Sequence, residues 1–380
     1  MATNGVTSSG QTTPSPILTV QMRFTLALLA APALFGQSMT FEEYQPKSSL
    51  VVPEHPVTRA KFPFIDVHGH PRGMMTPEKF DQFVKELDTL NMRGMVNLDG
   101  RWGDKLKQTV DLIRSKYPGR FVVFANLDFT NIDSHDWTKK AVRQLEDDVK
   151  NGASGLKIYK NLGMDLKDSR GNRVRTDDSR FDPVWSACGR LKIPVLIHTG
   201  EPRQFFDPAD KTNERWLELK EIPSRARPRD RYPSWETVMG EQHRVFEKHK
   251  GTTFINAHLG WLGGDLGELG RMLDRMPNVN TEIGAVLAEL GRQPRFARQW
   301  FIRYQDRVLF GKDSYNPVEY HTYFRVLETS DEYFDYYRRR HAFWKMYGLD
   351  LPDEVLKKLY YKNALRIVPG FDPKLFVTKP

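Results

Sequence analysis

Short apolar runs alternate with longer amphipathic stretches along the chain from Phe62 onward. An apolar run of about 4–8 residues is typical of a buried strand, and an amphipathic stretch of about a dozen residues is typical of a helix that covers a sheet. The alternation therefore predicts a parallel sheet whose strands are joined by crossover helices. Eight strands are predicted, over residues 62–67, 93–98, 121–127, 155–159, 194–198, 253–258, 279–283 and 308–311.

The stretches between these strands are long enough for helices, since a parallel crossover needs about a dozen residues. Helices are predicted over residues 77–90, 105–117, 137–150, 182–192, 235–250, 266–275 and 288–304. Eight strands with intervening helices predict the α/β class and a closed (β/α)8 TIM barrel. The alternative is an open doubly wound sheet, which is disfavoured because no glycine-rich dinucleotide fingerprint follows the first strand.

Two connections are longer than the others. Residues 200–234 follow strand five, and an aromatic-rich segment from Ser314 onward follows strand eight. Both leave the carboxyl ends of their strands, which form the catalytic face of a barrel, so we expect these loops to build a pocket wall or a lid. Their alternative role is packing or contact between subunits. The predicted organisation is a leader with a signal peptide over 1–37, an N-terminal extension over 38–61, the catalytic barrel over 62–370 and a tail over 371–380.

The leader contains the pattern of a secretory signal. Met22, Arg23 and Phe24 precede an apolar run over 25–35, which small and polar residues follow. The sequence therefore predicts a true start at Met22 and a secreted or periplasmic protein. The run is too short to span a bilayer, so no membrane anchor is expected after signal removal. The alternative is a cytoplasmic protein with a disordered leader and a buried apolar segment.

The charge and the cysteine content limit the kinds of partner and metal site that the protein can have. The 380 residues include 57 Lys and Arg against 48 Asp and Glu, a net charge of +9, but acids and bases are interleaved and no nucleic-acid-binding motif accompanies them. We expect no nucleic-acid partner, and a basic mouth that attracts an anionic small-molecule substrate. Cys188 is the single cysteine of the sequence, which excludes an internal disulfide and a cysteine metal cluster.

Candidate metal ligands lie at predicted strand ends. His68 and His70 end strand one, and alternate residues of a strand point the same way. His198 ends strand five, His258 ends strand six, and Asp313 follows strand eight, so these side chains should converge at one mouth of the barrel. The remaining histidines fit ordinary packing or surface positions: His55, His135, His243, His249, His321 and His341.

Imidazole and carboxylate ligands indicate a divalent metal. Zinc is the first choice, and Mn²⁺, Fe²⁺ or Co²⁺ are compatible with the same ligand types. Such a site lowers the pKa of bound water to about 7 and so activates it for attack on a carbonyl carbon. Asp313 is the candidate to take the proton of that water and pass it to the leaving group. His258 either binds a second metal or polarises the substrate carbonyl, and both roles stay open.

The order of these ligands resembles the amidohydrolase superfamily. The segments IDVHGH, IPVLIHTGEP, INAHLGW and LFGKD are most similar to its amidohydrolase-related branch, and the resemblance extends over 62–368, including the closing YYKNALRIV. It implies a distorted barrel with one or two metals, ligands His68, His70 and Asp313, and His198 on the single or the second metal. Lys157 stands where binuclear members carry a carbamylated bridging lysine. Its alternative role is to pair with a substrate carboxylate or with an acid inside the barrel.

These observations predict a metal-dependent hydrolase of a C–N or C–O bond, such as an amide, a lactone or another cyclic ester, that uses metal-activated water. The alternative is a metal-dependent decarboxylase or other lyase of a carboxylic acid, since the branch that the sequence resembles contains decarboxylases. A third reading, a catalytically silent barrel, is disfavoured by the complete ligand set. The substrate is left open, and a homo-oligomer is compatible with the sequence.

Overall fold

The computed structural model describes residues 38–40 and 42–377. The predicted signal peptide and the last three residues of the predicted tail lie outside the described residues. Two units are distinguished, and the second, which contains the barrel, begins at Leu50. In the first unit, the amides of Glu43 and Tyr44 donate to the carbonyl of Thr40 in a turn. Within the described residues, no helix combines the length and the apolar character needed to cross a bilayer.

The barrel sheet has nine strands in the described part of the chain, all parallel to their neighbours, in the order β8-β7-β6-β5-β4-β3-β2-β1-β9. The strands are β1 Phe64–His70, β2 Met92–Asn97, β3 Phe121–Asn126, β4 Ala153–Ile158, β5 Val195–Ile197, β6 Phe254–Asn256, β7 Val279–Glu282, β8 Val308–Leu309 and β9 Asp313–Ser314. All eight predicted strands are present, but the last one, predicted over 308–311, is divided into two short strands, and β9 lies beyond the predicted range.

This division closes the sheet on itself. β8 pairs with β7, whereas β9, four residues further along the same run of chain, pairs with β1 through Gly69 opposite Asp313. The amide of Val67 in β1 donates to the carbonyl of Phe310 at 3.0 Å, and Phe310 lies between the two short strands. The predicted fold, a distorted (β/α)8 barrel, is therefore confirmed.

Helices cover the outside of the sheet. They are α1 Phe80–Thr89, α2 Gly103–Lys116, α3 Trp137–Lys150, α4 Asp182–Leu191, α5 Trp216–Glu221, α6 Trp235–Lys248, α7 Leu266–Arg275, α8 Leu287–Gly291, α9 Pro294–Arg303, α10 Pro317–Glu328, α11 Asp353–Lys357 and α12 Asn363–Ile367. The single helix predicted over 288–304 is wrong, because α8 and α9 are separate. Pro294 disfavours helical geometry at Gln293, which has φ −130° and ψ 52°, and starts the new helix.

The two mouths of the barrel differ in character. Apolar side chains such as Ile65 and Leu196 fill the interior, and Phe371 and Phe376 from the C-terminal segment join this cluster. A Cβ on Gly94 of β2 would lie 3.0 Å from Phe371 and 3.2 Å from Phe376, so a glycine is needed where the segment meets the strand. This apolar segment covers the barrel interior at the amino-terminal mouth, and the predicted metal ligands gather at the carboxyl-terminal mouth.

Candidate metal centre

His68 and His70 lie at the carboxyl end of β1, which extends three residues beyond its predicted end at Val67. Both rings are largely buried, with 0% and 8% of the residue exposed. The Nε2 atoms of the two rings each lie 3.7 Å from Oδ1 of Asp313. The structure thus brings together three of the predicted ligands in a group that suits a metal ion.

Two carboxylates orient these imidazoles. Nδ1 of His68 lies 2.9 Å from Oε1 of Glu282, and Nδ1 of His70 lies 2.7 Å from Oδ1 of Asp99. When Nδ1–H donates to a carboxylate, Nε2 keeps its lone pair for a metal. Neither carboxylate was predicted from the sequence, although Glu282 ends β7 and Asp99 follows β2 by two residues.

Asp313 is held in an unusual backbone conformation, with φ 83°, which aspartate tolerates better than most residues. Burial tends to raise the pKa of its carboxyl, but His68, the other nearby imidazoles and Lys157 outweigh burial and hold this pKa well below its usual range. The side chain is therefore an anion at neutral pH, as a metal ligand must be.

Lys157 on β4 also reaches this group. It is 1% exposed, and its Nζ lies 3.2 Å from Nε2 of His68. Burial lowers its pKa to about 8, against the opposing charges of Asp313, Glu282 and Asp99. An amine with a lowered pKa meets one condition for carbamate formation. An uncarbamylated Lys157 in this position competes with a metal for the same lone pair of His68.

His258 and His198 form a neighbouring pair. His258 follows β6 in a left-handed conformation, with φ 59°, and its amide donates to Oε1 of Glu282 at 2.7 Å. Its Nδ1 lies 2.8 Å from the carbonyl of Gly284, and its Nε2 lies 3.3 Å from Nδ1 of His198. Burial lowers the pKa of both imidazoles, so both are neutral at pH 7.

Four of the predicted ligands, His68, His70, Asp313 and His258, lie in two adjoining sets. His68 shares one set with His70 and Asp313 and a second with His258 and Glu282. The rings of His198 and His68 are 6.4 Å apart between centroids, and His198 belongs to neither set. Nε2 of His198 is buried without a hydrogen-bond partner among the described residues, which suits a nitrogen reserved for a metal or a ligand. The donor set thus fits one or two divalent ions.

Asp66 stabilises the strands that carry the ligands. Its Oδ1 accepts from the amides of His68 and Lys312 at 2.9 and 3.2 Å, and its Oδ2 accepts from the hydroxyl of Tyr320 at 2.6 Å. Burial raises its pKa to about 6. These bonds tie β1 to the segment between β8 and β9, and so they fix the position of Asp313.

Two cavities border the centre. One, of about 330 Å³, is lined by His198 and Asp313 and by both long loops, including Phe205 and Tyr336, so these loops form a pocket wall. Its remaining wall residues include Lys160, Glu201, Arg215, Glu218, Arg227, Trp261, Arg338 and His341. The other, of about 540 Å³, lies beside the Asp99 partner of His70 and is lined by Arg72, Arg101 and Tyr159 among others.

Fold and site define a (β/α)8 barrel whose strand ends carry a histidine and carboxylate group suited to a divalent metal. The chain belongs to the amidohydrolase family, because the family model described as Amidohydrolase matches residues 65–370. The comparison with curated proteins finds no relative.

Three solved structures illustrate what the chain is similar to. An uncharacterized TIM-barrel protein from Bordetella bronchiseptica has 16% identity and a TM-score of 0.49, over 80% of this chain and 97% of that one. A dihydroxybenzoic acid decarboxylase from Polaromonas sp. JS666, with bound manganese and 2-nitroresorcinol, has 15% identity and a TM-score of 0.48, over 83% and 97%. A 4-oxalomesaconate hydratase from Rhodopseudomonas palustris has 14% identity and a TM-score of 0.46, over 80% and 95%.

Proposed function

We propose that the protein is a metal-dependent hydrolase of a C–N or C–O bond in a small anionic substrate. The observation that carries the proposal is the convergence of two imidazole Nε2 atoms, each fixed by a carboxylate on Nδ1, on the ionised Asp313. His68, His70 and Asp313 would hold the metal, with His198 and Lys157 as further ligands, and zinc is the first candidate. A bound divalent metal supplies Lewis acidity and lowers the pKa of water.

The proton chemistry falls to Asp313. Its carboxylate lies at the wall of the 330 Å³ cavity, where it can accept a proton from water and return it to the leaving group. His258 has a different role. Because its Nδ1–H donates to the carbonyl of Gly284, its Nε2 carries only a lone pair and cannot donate to a substrate carbonyl. We therefore favour the ligand role of His258 over carbonyl polarisation.

The anionic character of the substrate is supported by two arginines. Arg72 and Arg101 line the 540 Å³ cavity, and neither guanidinium forms an ion pair with any residue that the structure describes. In the 330 Å³ cavity, by contrast, Arg215 bonds to Glu218 at 2.9 Å and Arg227 to Glu201 at 2.8 Å. A substrate carboxylate would therefore find its free partners on the His70 side of the centre.

The second candidate function is a metal-dependent decarboxylase or other lyase of a carboxylic acid. It is favoured by Lys157, whose amine is buried beside His68 and has a pKa of about 8. Such an amine, if it stays uncarbamylated, can deliver the proton that replaces a departing carboxylate on carbon. A carbamylated Lys157 could not serve in this way, so its state separates the two functions.

Elemental analysis of protein purified without chelator tests the proposal. We expect at least one divalent metal per chain, and a metal-free protein would refute both functions. Lys157→Ala should lower a content of two metals to one or none if a carbamate bridges them. An unchanged single metal would favour the lyase. Lys160→Ala is the matched control, since the amine of Lys160 donates to Glu201 at 2.5 Å and, among the described residues, forms no hydrogen bond with a proposed metal ligand.

The reaction itself is tested with a panel of lactones, cyclic amides and aromatic carboxylic acids. Proton release without gas would support hydrolysis, and release of carbon dioxide would support the lyase. We also propose that the mature protein is secreted or periplasmic. Amino-terminal sequencing of the exported protein should find a start after the apolar run over 25–35, and full retention in the cytoplasm would contradict export.

A further inference from the structure

A third cavity, of about 350 Å³, is polar and lies at the opposite mouth of the barrel from the metal centre. Its wall is formed by residues that precede strands, such as Lys192 before β5 and Arg307 before β8, and by Arg366 of α12. In barrel enzymes the catalytic groups lie at the other mouth. The cavity is therefore separate from the site of the proposed function.

The charge of this cavity is one-sided. Lys192, Arg307 and Arg366 line it, and no carboxylate does so in the described part of the chain. Arg307 donates to the carbonyls of Val279 and Met276 at 2.9 and 2.7 Å, and burial and the charge of Arg366 lower its pKa. These backbone carbonyls satisfy hydrogen bonds but do not neutralise the positive charge.

The nearest acids are already engaged elsewhere. Asp306, beside Arg307, forms an ion pair with Lys358 at 2.8 Å, and Asp274 forms one with Arg303 at 3.1 Å. Among the residues that the structure describes, Arg366 donates only to a backbone carbonyl, that of Asp306. A cleft lined by one sign of charge concentrates ions of the other sign. The three cations thus leave a positive potential that a bound anion would neutralise.

Asn280 supplies an independent indication of a ligand. This residue of β7 lines the cavity and is only 5% exposed, and its Oδ1 has no hydrogen-bond partner among the residues described. A buried polar atom without a partner is uncommon in a folded protein. The Nδ2 amide group of Asn280 has no hydrogen-bond partner among the described residues either, and it can donate to an anion in the cavity.

We propose that this cavity binds a phosphate group, either as free phosphate or as part of a phosphomonoester. Three cations and one amide can surround the oxygens of a tetrahedral dianion from several sides, whereas a carboxylate has only two oxygens in one plane. The inference does not depend on the proposed function, because the metal ligands and the cavity residues are different.

Calorimetric titration of the full-length protein at low ionic strength tests the site, with inorganic phosphate and glycerol phosphate as probes. We expect saturable binding at one site per chain. Lys192→Gln and Arg366→Gln should each weaken it by about tenfold, the usual effect of losing one charged hydrogen bond. Both side chains are exposed, so both variants should fold. Lys139→Gln, which changes an exposed lysine of α3, is the matched control and should bind phosphate as the parent does.

The outcomes separate the sources of the phosphate. Tighter binding of glycerol phosphate would identify a phosphomonoester as the ligand, and equal binding would identify free phosphate. Acetate should bind at least about tenfold more weakly, since it carries a single charge. Absence of saturable binding, acetate binding equal to phosphate, or parental affinity in both variants would overturn the proposal. The last result would assign the phosphate to the metal centre or to adventitious contacts. Metal content should be unchanged in all three variants.

Discussion

Replacing Glu282 by glutamine tests whether the carboxylate that hydrogen-bonds to His68 supports metal binding. Oε1 of Glu282 accepts from Nδ1 of His68 at 2.9 Å and from the amide of His258 at 2.7 Å, and Oε2 accepts from the amide of Gly284. A glutamine carbonyl can replace Oε1, but its amino group then faces the N–H of Gly284. Oε2 also lies close to the backbone of Gly311, because a Cβ added at that glycine would collide with it.

The expected loss follows from these contacts. One charge-assisted hydrogen bond contributes about 1.5–3 kcal/mol, and loss of such a partner from a metal-binding histidine weakens metal affinity by about 10–100-fold. Competition with a chromogenic chelator measures this affinity without any assay of activity. Circular dichroism on the same samples shows whether the barrel remains folded.

Asp99→Asn is the matched comparison for Glu282→Gln. Asp99 supports His70 as Glu282 supports His68, but its side chain is 34% exposed, so water can replace part of the lost hydrogen bonding. We expect its metal affinity to fall by less than about tenfold. A Glu282→Gln variant within twofold of the parent, or an Asp99→Asn variant that loses more, would refute the view that buried carboxylates orient these imidazoles.

Three further perturbations follow from the structure. His70→Ala should lower bound metal at least about tenfold by elemental analysis, and full metal content would contradict its ligand role. Burial opposes ionisation of Asp331, but hydrogen bonds from His55 and Arg325 prevail and lower its pKa. Its stabilisation is therefore present above the unfolded aspartate pKa of about 3.9 and is lost as pH falls through the lower folded pKa, and Asp331→Asn should remove this acid dependence in urea unfolding. Phe376→Ala, at the closed mouth, should reduce the free energy of unfolding by about 3–5 kcal/mol, and a loss under 1 kcal/mol would deny it a core role.

The sequence alone predicts the part of the site that depends on strand ends. His68, His70 and Asp313 could be grouped because parallel strands in a barrel bring their carboxyl ends to one mouth. The roles of Glu282 and Asp99 could not be predicted, since their histidine partners are set by the register between strands and not by local spacing.

Backbone conformation accounts for the other differences between the predicted and the observed strands and helices. The left-handed turn at His258 carries no apolar periodicity, so the strand predicted over 253–258 ends two residues late. The division of the final strand into β8 and β9 likewise depends on pairing with β7 on one side and β1 on the other. Pro294 did indicate a helix boundary, but the amphipathic pattern on both sides of it favoured one continuous helix.

The seam between β1 and β9 has a consequence for the timing of assembly during synthesis. His68 is 214 residues ahead of Glu282, and Asp66 is 246 residues ahead of Lys312, its partner across the seam. A ribosome that adds about 5–20 residues per second therefore needs on the order of 10–50 seconds between the first ligand and the last. For most of that interval His68 lacks Glu282, whereas Asp99, the partner of His70, is made only 29 residues after it. The candidate metal centre can therefore be completed only after the last strand has been made, because Asp313 is the final member of the set that contains His68 and His70.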